Sequence, residues 1–145
     1  LDFKPSEAVT VKAIDDSVVE TIKHCYEEQA PQKIMEYKTI VVDQVKEKGQ
    51  IIVPELEEAV FKDNEQAAVL YQEVAEQQQI PKIPVYVSKK TERKLGKKQK
   101  LVTDSGIELL VPLELLKDES ILEYHQNDDG KMSILIKEIG FIENK

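Results

Sequence analysis

At 145 residues with a formal charge of −8, the chain is sized for one domain or two small ones, and 41% apolar residues suffice for a buried core, which excludes a disordered polyelectrolyte. Its single cysteine, Cys25, excludes a disulfide framework and suits a reducing cytosol. No apolar run approaches the roughly 18 residues of a membrane span, and the N-terminus has neither a basic start nor an apolar stretch of signal length.

Residues 1–14 contain Pro5 and show no clean period, which predicts a linker or the tail of another domain; starting at Leu1 without a Met, the chain reads as cut from something longer. Asp15, Asp16 and Ser17 are N-cap residue types, and after them Val18, Val19, Ile22, Cys25 and Tyr26 recur at helical spacing, predicting a helix that runs toward Gln29. Pro31 breaks it and suits the first turn of a second helix. The stripe Ile34, Met35, Ile40, Val41, Val42 and Val45 carries that helix toward Lys48, with Gly49 as its terminator. Pro54 starts a short third helix through Leu56, Val60 and Phe61. Asp63 or Asn64 caps a fourth, with Ala67, Ala68, Leu70, Tyr71, Val74 and Ala75 on its apolar face.

Beyond Pro81 the pattern changes. Ile83, Val85 and Val87 alternate across Pro84 and Tyr86, an extended segment that its prolines confine to a sheet edge. Ser88 caps a short helix ending before Gly96. Residues 100–103 and 107–111 flank Asp104-Ser105-Gly106, a hairpin loop with Gly where φ must be positive. Residues 113–116 read as one helical turn. Residues 121–126 and 132–136 flank Asn127-Asp128-Asp129-Gly130, a second hairpin. In the last strand Met132, Ile134 and Ile136 share one face while Leu135 and Ile139 lie on the other, which predicts a strand that is central or covered on both sides. The expected fold is α+β: a helical subdomain, residues 1–81, packed with a small antiparallel sheet of about four strands built from hairpins in residues 82–145, the two making one compact unit.

Catalytic chemistry finds no residues to name. Cys25 and His24 are sequence neighbours, so on a helix they point about 100° apart and do not face one another. Two His and one Cys do not make a metal site, and Asp128-Asp129-Gly130 lacks the spacing and closing Glu of a calcium loop. Acidic pairs such as Glu27-Glu28 and Glu57-Glu58 read as solvated helix faces, and the isolated glycines make no phosphate-cradling loop. The expectation is a non-enzyme with no cofactor and no metal.

Charge distribution is more informative. Residues 1–81 hold 8 basic and 17 acidic residues, residues 82–100 hold 8 and 1, and residues 101–145 hold 4 and 10. Within the basic segment, Lys90, Arg93, Lys94 and Lys97 follow i, i+3, i+4, i+7 spacing, which on a helix starting at Ser88 puts them on one face. Lys89 borders that face, and Lys98 and Lys100 continue into the loop and the first strand. Such a stripe can neutralise several backbone phosphates. With one Arg among lysines it does not favour base readout, and no aromatic interleaves it to make a single-strand stacking platform. The same stripe could instead be a solvated face, or a partner of the acidic helical half.

The run Ile83-Pro84-Val85-Tyr86-Val87-Ser88-Lys89-Lys90-Thr91-Glu92-Arg93-Lys94-Leu95-Gly96 resembles a stretch of the 37-kDa nucleoid-associated bacterial protein family (NdpA/YejK-like). So do residues 101–112, residues 121–137 and, upstream, Val60-Phe61-Lys62-Asp63-Asn64-Glu65-Gln66-Ala67. The resemblance covers residues 51–139 well and the first fifty loosely. It implies the C-terminal half of a longer family member, a cytoplasmic, nucleoid location, no catalytic residues, and no membrane partner. Two readings follow. In the first, the chain is a DNA-associated architectural protein that contacts phosphates without sequence preference through Lys89, Lys90, Arg93, Lys94, Lys97, Lys98 and Lys100. In the second, it is a protein-interaction module or homodimer, using a helical face or a strand edge such as Met132–Ile136, with no direct DNA contact.

Overall fold

The computed structural model describes residues 6–116 and 118–145 of the chain. They divide into two compact units, Leu1–Leu95 and Gly96–Lys145.

In the first unit, helix α1 spans Glu7–Tyr26, a 3-10 turn at Glu27–Gln29 follows, and α2 spans Ala30–Lys48. The chain continues through β1 (Gln50–Ile51), α3 (Val53–Phe61), α4 (Glu65–Gln77), β2 (Val85–Tyr86) and α5 (Lys89–Leu95). The start of α1 corrects the expected linker: the helix begins at Glu7, not after Ser17, and residues 1–5 of that segment lie outside the described residues. The Ser6 side chain accepts the Val9 amide at 3.2 Å and satisfies a free N–H of the first turn. Asp15, Asp16 and Ser17, read as caps, fall mid-helix. Ser17 and Thr21 are buried there, each donating its hydroxyl to the carbonyl four residues back, Ala13 at 2.7 Å and Ser17 at 2.9 Å.

The other helix boundaries follow local chemistry as expected. Pro31 sits in the first turn of α2 and Pro54 in that of α3. Gly49 ends α2 at φ 66°, a left-handed conformation that a side chain would oppose. Asn64, rather than Asp63, caps α4, its Oδ1 accepting the Ala67 amide at 3.0 Å.

The core of this unit is a layered helix packing. Ile14, Val18 and Ile22, spaced four apart on α1, are each at most 1% exposed. Tyr37, Val41 and Val45 of α2, Leu56, Val60 and Phe61 of α3, and Ala67 and Tyr71 of α4 close around them. The Phe61 and Tyr71 rings meet at 5.4 Å between centroids. At one end of the unit Lys33, only 6% exposed, is held at 3.3 Å from both Glu36 and Asp63, while the Tyr26 hydroxyl donates to Asp63 at 2.7 Å. Burial opposes ionisation of Asp63, but the Tyr26 hydrogen bond and the Lys33 charge outweigh it and hold the carboxyl below the usual range. β1 was not expected from the sequence: Gln50 pairs with Tyr86 and Ile51 with Val85, antiparallel, across more than thirty intervening residues.

The second unit is built from two hairpins and a helical turn. β3 (Gln99–Val102) pairs with β4 (Glu108–Val111), Gly106 turning between them at φ 93°. After α6 (Leu113–Leu116), β5 (Leu122–Gln126) pairs with β6 (Met132–Ile136) around Gly130 at φ 83°. Among the described residues of this unit only Leu113, Leu116 and Leu122 are buried.

The α+β class holds, but the single sheet of about four strands does not: among the described residues the strands form three separate two-stranded antiparallel sheets. Turn chemistry specifies each hairpin locally, whereas nothing local specifies a lateral neighbour for either one. For the same reason β6 is not a central strand. Among the described residues it pairs with β5 alone, and Leu135 and Ile136 remain 48% and 43% exposed.

The contrast between the two units is measurable. Leu56→Ala in the helical core should lower unfolding free energy by about 2–5 kcal/mol. Leu110→Ala on the 63%-exposed face of β4 should stay within about 0.5 kcal/mol. Urea denaturation of both variants checks the pair, and comparable losses would contradict the burial pattern.

Candidate nucleic-acid interface

α5 is a seven-residue helix with a clear inner and outer side. Thr91, Glu92 and Leu95 are half-buried, and Leu95 packs against the core; Lys89, Lys90, Arg93 and Lys94 are exposed. The i, i+3, i+4 spacing brings Lys90, Arg93 and Lys94 to one face. The helix ends at Leu95, so Lys97 is not the fourth member of that face: it lies with Lys98 in the turn that follows, in the second unit, and Lys100 stands on β3. All seven basic residues are exposed.

Their electrostatic situations differ. Lys89 pairs with Glu92 at 3.2 Å, and Lys100 pairs across the hairpin with Glu108 at 3.3 Å. Lys90, Arg93, Lys94, Lys97 and Lys98 form no ion pair among the described residues. Arg93 curls back so that Nε donates to the Lys89 carbonyl at 3.3 Å, leaving the rest of its guanidinium donors free of that bond. A surface pair such as Lys89–Glu92 contributes little to stability, yet it removes net charge from the place where an anion would sit.

What holds α5 in place lies far away in sequence. The Glu7 carboxylate, in the first turn of α1, accepts the Ser88 amide and the Ser88 hydroxyl, the latter at 3.0 Å, and the Thr91 hydroxyl at 3.1 Å. The Thr91 amide in turn donates to Ser88 Oγ at 3.3 Å. The Ser88 amide bond is the largest influence on Glu7 and lowers its carboxyl below the ordinary glutamate range, against a smaller opposing effect of burial. Behind Ser88, the Val87 amide donates to the Gly49 carbonyl at 3.0 Å and extends the β1–β2 pairing to the foot of the helix. Sequence reading identified Ser88 as a cap but not Glu7, since no local pattern joins residues eighty-one positions apart.

Cys25 is half-buried against the core and His24 is exposed. Among the described residues no group of three or more His, Cys, Asp or Glu is arranged to hold a metal ion, and no helix is long and apolar enough to cross a membrane.

A family model described as NA37, nucleoid-associated protein YejK, matches residues 5–144. The chain belongs to this family. NA37 members are nucleoid-associated proteins, not enzymes. The match takes in the first fifty residues as well as the later stretches, so the NA37 correspondence is wider than the motifs of residues 51–139 suggested. Comparison with curated proteins and with solved structures found no match.

The Glu7 clasp has a signed pH dependence. Because the folded carboxyl is held below its unfolded value, its contribution is fully present above the ordinary glutamate range and is lost as pH falls through the lowered value. Glu7→Ala should speed hydrogen exchange at the amides of Ser88 and α5 at neutral pH and remove that acid-dependent step, with the rest of the first unit unchanged. Unaltered exchange in α5 would mean that the clasp contributes nothing.

Proposed function

We propose that this chain is a DNA-associated architectural module of the bacterial nucleoid, acting in the cytoplasm without a cofactor and contacting duplex phosphates without sequence preference. The observation that carries the reading is a set of five exposed cations, Lys90, Arg93, Lys94, Lys97 and Lys98, without an ion-pair partner among the described residues, in a chain whose net charge is −8. An acidic protein gains little in solubility by gathering its cations into one short segment; a polyanionic partner gives that arrangement a use. Glu7 and Glu92 bring carboxylates to α5, while at physiological ionic strength a carboxylate more than about 8 Å from the cluster is largely screened. Lysine acts as a point charge on a flexible stem, which fits phosphate neutralisation rather than planar recognition of a base edge. Lys89 and Lys100 stand in support, partly neutralised by Glu92 and Glu108.

Duplex binding measured across a salt series tests this. Five neutralised phosphates correspond to a slope of log affinity against log salt of roughly −4 to −5. The Lys90→Glu/Arg93→Glu/Lys94→Glu/Lys97→Glu variant should lose binding, while Lys100→Gln should change the slope by less than about 1. No wild-type binding even at low salt would reject direct DNA contact by this chain.

A second reading, a homodimer or protein-interaction module without direct DNA contact, is favoured by the outer edge of β6, which has no strand partner among the described residues and exposes Leu135 and Ile136. Under it, sedimentation equilibrium should find a dimer that Leu135→Lys weakens by tenfold or more. A monomer at all concentrations would set that reading aside.

A further inference from the structure

α5 carries its cations on one side and its attachment on another, and the attachment ends in a carboxylate. Ser88, Thr91 and Leu95 follow i, i+3, i+7 spacing and share one side of the helix, on which Leu95 packs against the core. Glu7 grips the other two: one carboxylate oxygen accepts the Ser88 amide, and the other accepts the Ser88 hydroxyl at 3.0 Å and the Thr91 hydroxyl at 3.1 Å. Ser88 fixes where the helix starts. Thr91, with Leu95 one turn on, fixes its rotation about its own axis. At about 100° per residue Arg93 points roughly 160° away from Thr91. The rotation that keeps the Thr91 hydroxyl on Glu7 is therefore the one that turns Arg93, with Lys90 and Lys94 beside it, to solvent.

The sign of the charge separates this role from an electrostatic one. Judged by charge alone, Glu7 works against a polyanion: it sets a carboxylate beside a cationic helix, and its removal raises the local positive potential. Judged by geometry, it does the reverse. Seven residues are too few to hold a helix in water unaided. Without an attached side, the cations of α5 spread over many arrangements, of which only a fraction presents them together. A ligand that takes only that fraction binds more weakly in proportion to it.

We propose that Glu7 is a positioning residue for the DNA contact: by holding Ser88 and Thr91 it keeps the face of Lys90, Arg93 and Lys94 assembled, and this outweighs the repulsion between its own charge and the phosphates. The inference rests on the DNA-binding reading of α5. Charge and position leave different traces in salt. Repulsion between Glu7 and a phosphate is screened as ionic strength rises, whereas the fraction of chains with an assembled face multiplies affinity by the same factor at every salt concentration. The clasp also needs both oxygens of Glu7 and its full length. Aspartate, shorter by a methylene, keeps the charge but not the reach, and glutamine keeps the length but exchanges an acceptor oxygen for a donor amide.

The test measures duplex affinity by fluorescence anisotropy over a salt series for the wild type, Glu7→Asp, Glu7→Gln, Thr91→Val and Thr91→Ser. Thr91→Val changes no charge and removes one hydroxyl from the clasp. The expected result is roughly three- to tenfold weaker affinity for Glu7→Asp, Glu7→Gln and Thr91→Val at every salt concentration, with the wild-type slope. Thr91→Ser, which keeps a hydroxyl, should bind like the wild type. Tighter binding by Glu7→Gln that fades at high salt, with Thr91→Val like the wild type, would make Glu7 an opposing charge and overturn the proposal while the phosphate reading stands. Unchanged affinity in every variant would do the same. Urea denaturation of the same proteins separates position from stability: a loss of affinity that follows a loss of global folding would assign the clasp to stability alone and overturn the proposal. If the wild type binds no duplex even at low salt, both readings fall.

Discussion

The burial of one stripe of α1 is the constraint on which the first unit depends. Ile14, Val18 and Ile22 are almost wholly removed from water, and each such side chain stabilises the fold by about 1.5–3 kcal/mol relative to exposure. To cover that stripe, α2 and α4 must lie against the same helix, and the polar residues caught between them, Ser17 and Thr21, satisfy themselves on α1's own carbonyls. The stripe also fixes what lies above it. Glu7 precedes Ile14 by seven residues, two helical turns, and therefore sits on nearly the same face about 10 Å further up the axis. The face that is apolar in the middle of the unit becomes an acceptor at its upper end, and Ser88 and Thr91 meet it there.

Electrostatically the chain works by segregation. Its acidic residues are dispersed over helices and turns, where pairs such as Lys12–Asp16 and Lys48–Glu55 are local and solvent-screened. The cations of residues 89–100 are gathered instead, and α5 turns its one carboxylate, Glu92, toward Lys89 at the edge of the face. A sequence-wide charge of −8 thus says little about the potential at this helix.

Much of the fold was legible because its signals are local. Pro31, Pro54, Asn64, Ser88, Gly49, Gly106 and Gly130 each act through their own backbone or that of neighbours within one turn, and the elements they bound were placed correctly. The start of α1 was obscured by Asp15-Asp16-Ser17, three good cap residues that lie within a helix held by burial rather than by propensity. β1 is two residues long and meets β2 across two helices, so no window of sequence contains its reason to exist. The two hairpins were visible in their turns, but whether they join edge to edge depends on backbone meeting backbone, which side-chain alternation does not encode. The basic cluster was visible as composition. Its division between a helix face and a following turn depended on where α5 stops, and Glu7 could not be found without the tertiary structure.

The clasp on α5 also orders events in time. A seven-residue helix does not nucleate on its own in water, and this one borrows its stability from a strand that pairs back to Gln50 and a carboxylate that reaches from Glu7. Both closures span long loops, whose entropy is recovered only after α1 to α4 have packed. On a nascent chain the basic residues of α5 therefore emerge without a helix to hold them, and they acquire a spatial pattern only when the helices made before them have condensed. The cationic face is in that sense a late report on the folding of the unit beneath it.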